Sequence, residues 1–122
     1  MTTSQLMLGD LVMFEGETFK IDGISIGEAH FCGDEENIWC HEDNIEPIPL
    51  TAEILEKNGW TLLANFGGEA YWSDNGEFSL PYNKGQYRII IHGIVVKITY
   101  LHELQHALRL CGLDYIADNF KI

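Results

Sequence analysis

Glycine recurs at short intervals along the whole chain, and this spacing constrains the fold more than any other feature. Twelve glycines stand among the 122 residues. Glycine supplies the positive φ angles that tight turns need. The segments between the glycines are rich in β-branched and aromatic residues, which predicts short strands joined by turns. The predicted strands lie at residues 11–14, 19–21, 29–32, 38–41, 60–66, 69–72, 77–80, 87–91 and 94–98.

Two other segments predict helices. Thr51 is a suitable N-cap for a helix over residues 52–57, and Gly59 would end that helix. A second helix is predicted over residues 99–111, because apolar residues there recur at helical spacing.

The connections between strands predict antiparallel sheets. His92 and Gly93 form a two-residue loop typical of a type I′ hairpin. The sequence lacks the long helical crossovers that parallel strands need. Pro47 and Pro49 lack a backbone donor and are expected to stop strand pairing.

These elements predict a single α+β domain over residues 1–122. Its β-rich, acidic first part, residues 1–49, is predicted to form a small SH3-like or partly open β-barrel. Its second part, residues 50–122, is predicted to hold a helix, an antiparallel β-meander and a C-terminal helix.

Charge is distributed unevenly along the chain. The net charge is −12, and residues 1–60 hold 13 of the 19 acidic residues. No basic patch is present, so direct binding to nucleic acid or to an anionic membrane is not expected. Residues 28–46 contain no lysine or arginine, and such a run must face solvent because burying unpaired carboxylates is costly. The candidate interaction residues for a basic protein partner are Asp34, Glu35, Glu36, Glu42 and Asp43.

The cysteines and the chain start indicate a compartment. The first residues show no basic segment followed by an apolar one, and no apolar run is long enough to span a bilayer. Three cysteines, an odd number, favour reduced thiols. We therefore expect a cytoplasmic protein.

His102, Glu103 and His106 spell the zinc-protease pattern on a predicted helix. Histidines four residues apart share a helix face and can bind one zinc ion, with the glutamate as general base. A catalytic zinc also needs a third protein ligand, and no histidine or glutamate follows His106. We therefore predict no metal, no cofactor and no protease activity, while a zinc-dependent hydrolase remains the alternative.

The helical arrangement around this motif leads to a burial prediction. Apolar residues at about 100° per residue share one face of the helix, and the histidines lie opposite. We expect both His102 and His106 to be exposed. The side chains expected to be buried are those of Leu101, Leu104, Leu108 and Cys111.

A second group of possible metal ligands comprises His30, Cys32, Cys40 and His41. A hairpin register that places His30, Cys32 and Cys40 on one face would point His41 the other way, so the four would not converge. We interpret Cys32 and Cys40 as core thiols, since free cysteine behaves as a small buried hydrophobe.

Three blocks of the sequence resemble a known group of proteins. They are Leu8-Gly9-Asp10-Leu11-Val12, Ile45-Glu46-Pro47-Ile48-Pro49-Leu50-Thr51 and Tyr100-Leu101-His102-Glu103-Leu104-Gln105. In order and rough spacing they are similar to short proteins of gut Bacteroidetes and of their phages and mobile elements. The resemblance implies relatives of that kind and carries no activity with it.

The function expected from the sequence is that of a small intracellular protein-interaction module, more a binding protein than an enzyme. The charge asymmetry also supports a narrower alternative. In that alternative, the acidic part mimics nucleic acid and inhibits a DNA-binding protein.

Overall fold

The computed structural model describes residues 1–31, 39–65, 68–91 and 93–122. It is an α+β structure with two antiparallel sheets of five strands each, as the sequence predicted. Among the described residues, no helix has the length and apolar composition needed to cross a membrane.

The strands are numbered in chain order. They are β1 (Leu11–Phe14), β2 (Glu17–Ser25), β3 (Glu28–Phe31), β4 (Trp39–His41), β5 (Ile45–Pro47), β6 (Thr61–Asn65), β7 (Gly68–Trp72), β8 (Ser79–Asn83), β9 (Gln86–Ile91) and β10 (Ile94–Ile98). The helices are α1 (Ala52–Lys57), α2 (Leu101–Leu110) and α3 (Asp114–Ala117). Strand β5 and helix α3 were not predicted from the sequence, and β8 begins two residues later than predicted.

The chain forms two compact units. Unit 1 comprises Met1–Ile48 and Tyr100–Asn119, and unit 2 comprises Pro49–Thr99 and Phe120–Ile122. The sequence-based division placed the C-terminal helix with the second part, whereas α2 packs in unit 1. The reason lies in its polar contacts, which join it to residues near the amino terminus.

Unit 1 has the strand order β4-β3-β2-β1-β5. Strand β2 is long and shifts register between Ile21 and Gly23, so its first half pairs with β1 and its second half with β3. A 3-10 turn at Glu42–Asn44 leads into β5, which returns to pair with β1. This is the strand order of an SH3-like barrel, left partly open in the described part of the chain.

Pro47 corrects one expectation. It was expected to stop strand pairing, yet it ends β5 opposite Val12 of β1. Strand β5 lies at the edge of the sheet. A proline is tolerated there because its missing donor can face away from the neighbouring strand.

The core of unit 1 is apolar and partly aromatic. Phe19 stacks on Phe31 with ring centroids 4.8 Å apart, and Phe14 packs against both. The buried members of this core are Leu6, Val12, Ile21, Ala29, Phe31 and Ile45.

Unit 2 is a meander of strand order β10-β9-β8-β7-β6. Helix α1 begins where predicted, since the Thr51 hydroxyl accepts a hydrogen bond from Ile54 N. Its Leu55 is fully buried, and Trp60 packs between Phe78 and Phe120. The β9–β10 hairpin also forms as predicted, with Ile91 paired to Ile94 across a two-residue loop. His92 of that loop lies outside the described residues.

Two other hairpins have a residue other than glycine at positive φ in a two-residue turn: Glu15 between β1 and β2, and Lys84 between β8 and β9. Phe14 pairs with Glu17 across Glu15 and Gly16, whose φ angles are 51° and 79°. Two consecutive positive φ angles are the requirement of a type I′ turn. Asparagine adopts this conformation at the first position with less strain than glutamate.

We therefore expect Glu15→Asn to stabilise the protein. Relief of the left-handed strain should raise the free energy of unfolding by about 0.5–1 kcal/mol, measured by urea denaturation. Glu17→Asn removes the same charge two residues along and is the matched control. Equal effects of the two substitutions would show that charge, and not turn conformation, is responsible.

Candidate functional site

The polar centre of unit 1 is the carboxylate of Asp10, which is completely buried. Its Oδ2 accepts hydrogen bonds from Met7 N at 2.8 Å and lies 2.7 Å from His106 Nε2. Its Oδ1 accepts from Arg109 Nη1 at 2.7 Å. Arg109 also reaches Asp118 through Nη2 at 3.3 Å. Helix α2 is thus joined by charged side chains to the segment before β1.

Gln105 makes a second connection between the same segments. Its amide is fully buried, and Oε1 accepts from Leu11 N at 2.9 Å. Its Nε2 donates to Gly9 O at 3.1 Å and to Ala117 O at 2.9 Å. Every one of these contacts is to main chain, so this side chain holds α2 against both β1 and α3.

The side chains of Arg109 and Asp118 approach the backbone of Gly9 closely. Its φ is 90°, and a Cβ built there would lie 2.9 Å from Arg109 Nη2 and from Asp118 Oδ1. A larger residue would therefore separate the two charged groups.

Glu103, the general base of the protease pattern, has a structural role here. Its Oε1 accepts a hydrogen bond from Tyr100 N at 2.8 Å, which closes the start of α2. A glutamate at the third helical position commonly caps the helix in this way.

His102 is buried, with an exposed fraction of 7%. Its ring stacks on Tyr100 at 6.0 Å and meets His106 edge-on at 5.4 Å. Among the described residues, its Nδ1 has no hydrogen-bond partner. Burial lowers the pKa of His102, against opposing effects of Asp10 and Glu103, while His106 lowers it further.

The burial prediction for α2 was right for its leucines and wrong for three other residues. Leu101, Leu104 and Leu108 are fully buried. His102 is buried as well, the side chain of His106 is only 25% exposed, and Cys111 is exposed. Gln105 is buried because main-chain groups distant in sequence satisfy its amide, and Asp10 holds the ring of His106. His102 is buried by ring packing against Tyr100 and His106. Cys111 is the C-cap residue that follows Leu110, the last residue of α2.

The chemistry open to this cluster follows from these contacts. Within the described ranges, no three histidine, cysteine, aspartate or glutamate side chains are grouped so that they could hold a metal ion. His106 uses Nε2 for Asp10, and Glu103 caps the helix. Two surface depressions, of about 480 and 400 Å³, are lined by other residues than the two histidines. The arrangement anchors a helix.

A different surface of unit 1 carries an exposed aromatic side chain. Trp39 of β4 is 41% exposed and lies across Gly23 of β2, where a Cβ would come within 2.9 Å of its ring. The imidazole of His30 lies 5.6 Å from the indole and binds Asp22 through Nδ1 at 2.5 Å. Glu28 is exposed on the neighbouring strand β3 and pairs in register with His41. We call Trp39, Gly23, His30, Asp22 and Glu28 the Trp39 face.

The register of this hairpin corrects the sequence prediction. His30 pairs with Trp39, and Ala29 pairs with Cys40. His30 therefore shares a face with Trp39, while Cys40 points to the core, against which it packs. Cys32 lies outside the described residues. A one-residue change of register exchanges the two faces of a strand, and the sequence did not determine the register.

The predicted interaction residues have three different outcomes. Asp34, Glu35 and Glu36 lie outside the described residues. Glu42 accepts a hydrogen bond from Thr3 N at 2.7 Å and so ties down the amino terminus. Asp43 is 82% exposed, beside His41. The Trp39 face itself was not predicted, because Gly23 and Trp39 are far apart in sequence.

Comparison with known proteins returned no match: no family model, no curated protein and no solved structure is similar to this chain.

The burial of His102 leads to a pH prediction. Its pKa is lowered in the folded protein, so on acidification the unfolded chain takes up a proton at the ordinary pKa before the folded protein does. This contribution to stability is present above that ordinary pKa and is lost as pH falls below it. We expect His102→Phe to make the drop in unfolding free energy between pH 7 and pH 5 smaller than in the wild type.

The measurement is urea denaturation at a series of pH values. His41→Asn, which removes an exposed imidazole and retains a capping side chain, is the matched control. A wild-type pH dependence in the His102→Phe variant would contradict the assignment.

The Asp10 cluster leads to a stability prediction. Asp10→Asn removes the charge partner of Arg109 and His106 inside the protein, so the free energy of unfolding should fall by about 3 kcal/mol or more. Asp114→Asn, at an exposed position of α3, should change it by less than about 0.5 kcal/mol. Similar small losses for both variants would show that the buried cluster is not a major anchor.

Proposed function

We propose that the protein is a small interaction module whose unit 1 binds a basic protein partner through the Trp39 face. The observation that carries the proposal is an exposed tryptophan lying on a glycine and bordered by carboxylates. Tryptophan is enriched among residues that dominate binding energy at protein interfaces. An arginine of the partner can stack on the indole and pair with Asp22 or Glu28.

The distribution of charge between the two units supports this proposal. Unit 2 holds five acidic and five basic residues, and unit 1 holds the other fourteen acidic residues with two basic ones. The whole net charge of −12 therefore belongs to unit 1. Such a field increases the rate of encounter with a basic partner and suppresses acidic competitors.

The biological setting is part of the same proposal. The resemblance of the three sequence blocks supports an accessory role in a phage or mobile element, in the cytoplasm of the host. A DNA-binding protein as partner would make the acidic unit a nucleic-acid mimic, and the test below distinguishes that outcome. The contacts of His102, Glu103 and His106 give no support to a hydrolase.

The proposal predicts that binding depends on Trp39 and on nearby carboxylates. The protein is used to capture partners from a host lysate, alongside Trp39→Ala and a triple variant, Asp22→Asn with Glu28→Gln and Asp43→Asn. The control removes three exposed charges from unit 2, with Glu53→Gln, Glu56→Gln and Glu69→Gln. A basic protein should be captured by the wild type and the control, and lost with both variants.

Titration calorimetry with the purified partner then provides the decisive comparison. Trp39→Ala should weaken binding by about tenfold or more, as loss of an interface anchor does. The triple variant should weaken it more at low salt than at high salt. Equal affinities of the triple variant and the control would contradict the proposal. If the partner binds DNA and this protein competes with that DNA for it, the protein acts as a nucleic-acid mimic.

A further inference from the structure

Strands β9 and β10 of unit 2 carry an exposed apolar pair. Ile90 and Val95 lie opposite each other and are 73% and 60% exposed. Ile89, beside Ile90 in β9, and Ile98, three residues after Val95 in β10, point to the other side and are buried. The exposed pair thus occupies the sheet face that the core of unit 2 does not use.

The next pair on this face is doubly charged. Arg88 and Lys97 are exposed and directly opposite each other. Like charges in this position destabilise a sheet. Among the described residues, no carboxylate forms an ion pair with either one, and residues 78–102 contain no aspartate or glutamate at all. Bound carboxylates would remove this repulsion.

Strand β10 is also an edge of its sheet. Within the described part of the chain it pairs with β9 alone. Past its end, Thr99 O accepts from Leu50 N, so the open part of the edge is residues 94–97. An apolar edge strand is a template on which another extended chain can pair.

We propose that the β10 edge binds an extended acidic segment of a partner protein by β-strand addition. The partner strand runs antiparallel to β10, with a carboxylate opposite Lys97 and, two residues later, an apolar side chain opposite Val95. The backbone hydrogen bonds supply affinity, and the alternating acidic and apolar contacts supply specificity. This site shares no residue with the Trp39 face and does not depend on the function proposed above.

The charges and side chains at the β10 edge favour an acidic segment over a second copy of the chain and over single-stranded nucleic acid. A second copy pairing at β10 would bring its own Lys97 and Arg88 near those of the first, which adds repulsion. Single-stranded nucleic acid binds sheets mainly through exposed aromatic side chains, and this pair is aliphatic. The combination of cations and aliphatic groups matches a strand that is acidic and apolar.

The test uses the full chain and a fluorescent nine-residue peptide with blocked termini. Threonine occupies every odd position of the peptide, and the even positions are glutamate, valine, glutamate and valine. Fluorescence anisotropy should show saturable binding. The same peptide with lysine in place of glutamate should not bind. Binding of both peptides with equal affinity would overturn the proposal, as would an absence of binding.

Paired variants locate the site. Arg88→Gln with Lys97→Gln should weaken binding by about three- to tenfold, the range that two exposed ion pairs supply. Lys57→Gln with Lys121→Gln removes the same charge elsewhere in unit 2 and should leave binding unchanged. Equal effects of the two double variants would overturn the site, and circular dichroism melting confirms that each variant is folded.

Two further measurements address the mode of binding and the other occupants. Two peptides are compared, one N-methylated at its odd positions and one at its even positions. Their affinities should differ, because a strand presents only alternate N–H groups to one neighbour. Unchanged binding in both phases would overturn strand addition. Sedimentation showing a dimer that Lys97→Gln strengthens, or tighter binding of single-stranded DNA than of the peptide, would assign the edge to another occupant.

Discussion

The burial of one carboxylate determines how unit 1 is assembled. Asp10 has no exposure to solvent and is bonded to Met7 N, His106 and Arg109. A buried charge is tolerated only when it is paired and hydrogen-bonded. The loop before β1 and helix α2 must therefore stay together, although about a hundred residues separate them, and the neighbouring Gln105 satisfies the main chain at the same junction.

The three sequence blocks meet at this junction. The first block holds Gly9, Asp10 and Leu11, and the third holds Gln105, which binds them. The second block contributes β5, which pairs with β1, and Ile48, whose carbonyl accepts from Leu101 N at 2.8 Å. The three residues of the zinc-protease pattern thus make contacts that stabilise the fold. Glu103 caps it, His106 contacts Asp10, and His102 stacks on Tyr100.

The two units divide the surface chemistry of the protein. Unit 1 carries the net negative charge and an exposed tryptophan, while unit 2 is neutral overall and exposes cations beside aliphatic side chains on one sheet face. The two surfaces therefore differ in both charge and side-chain type. Both surfaces are formed by strands, whose alternation separates core residues from exposed ones.

The sequence by itself determined the local elements. Turn glycines, β-branched runs and the Thr51 cap act through nearest neighbours, so most strands, α1 and the antiparallel arrangement could be predicted. Tertiary structure decided the rest. Whether His102 is buried, which face Cys40 occupies and what Gln105 binds depend on strand register and on groups far away in sequence. Helical spacing shows which residues share a face, but only the packed structure shows that a polar face has found buried partners such as Asp10.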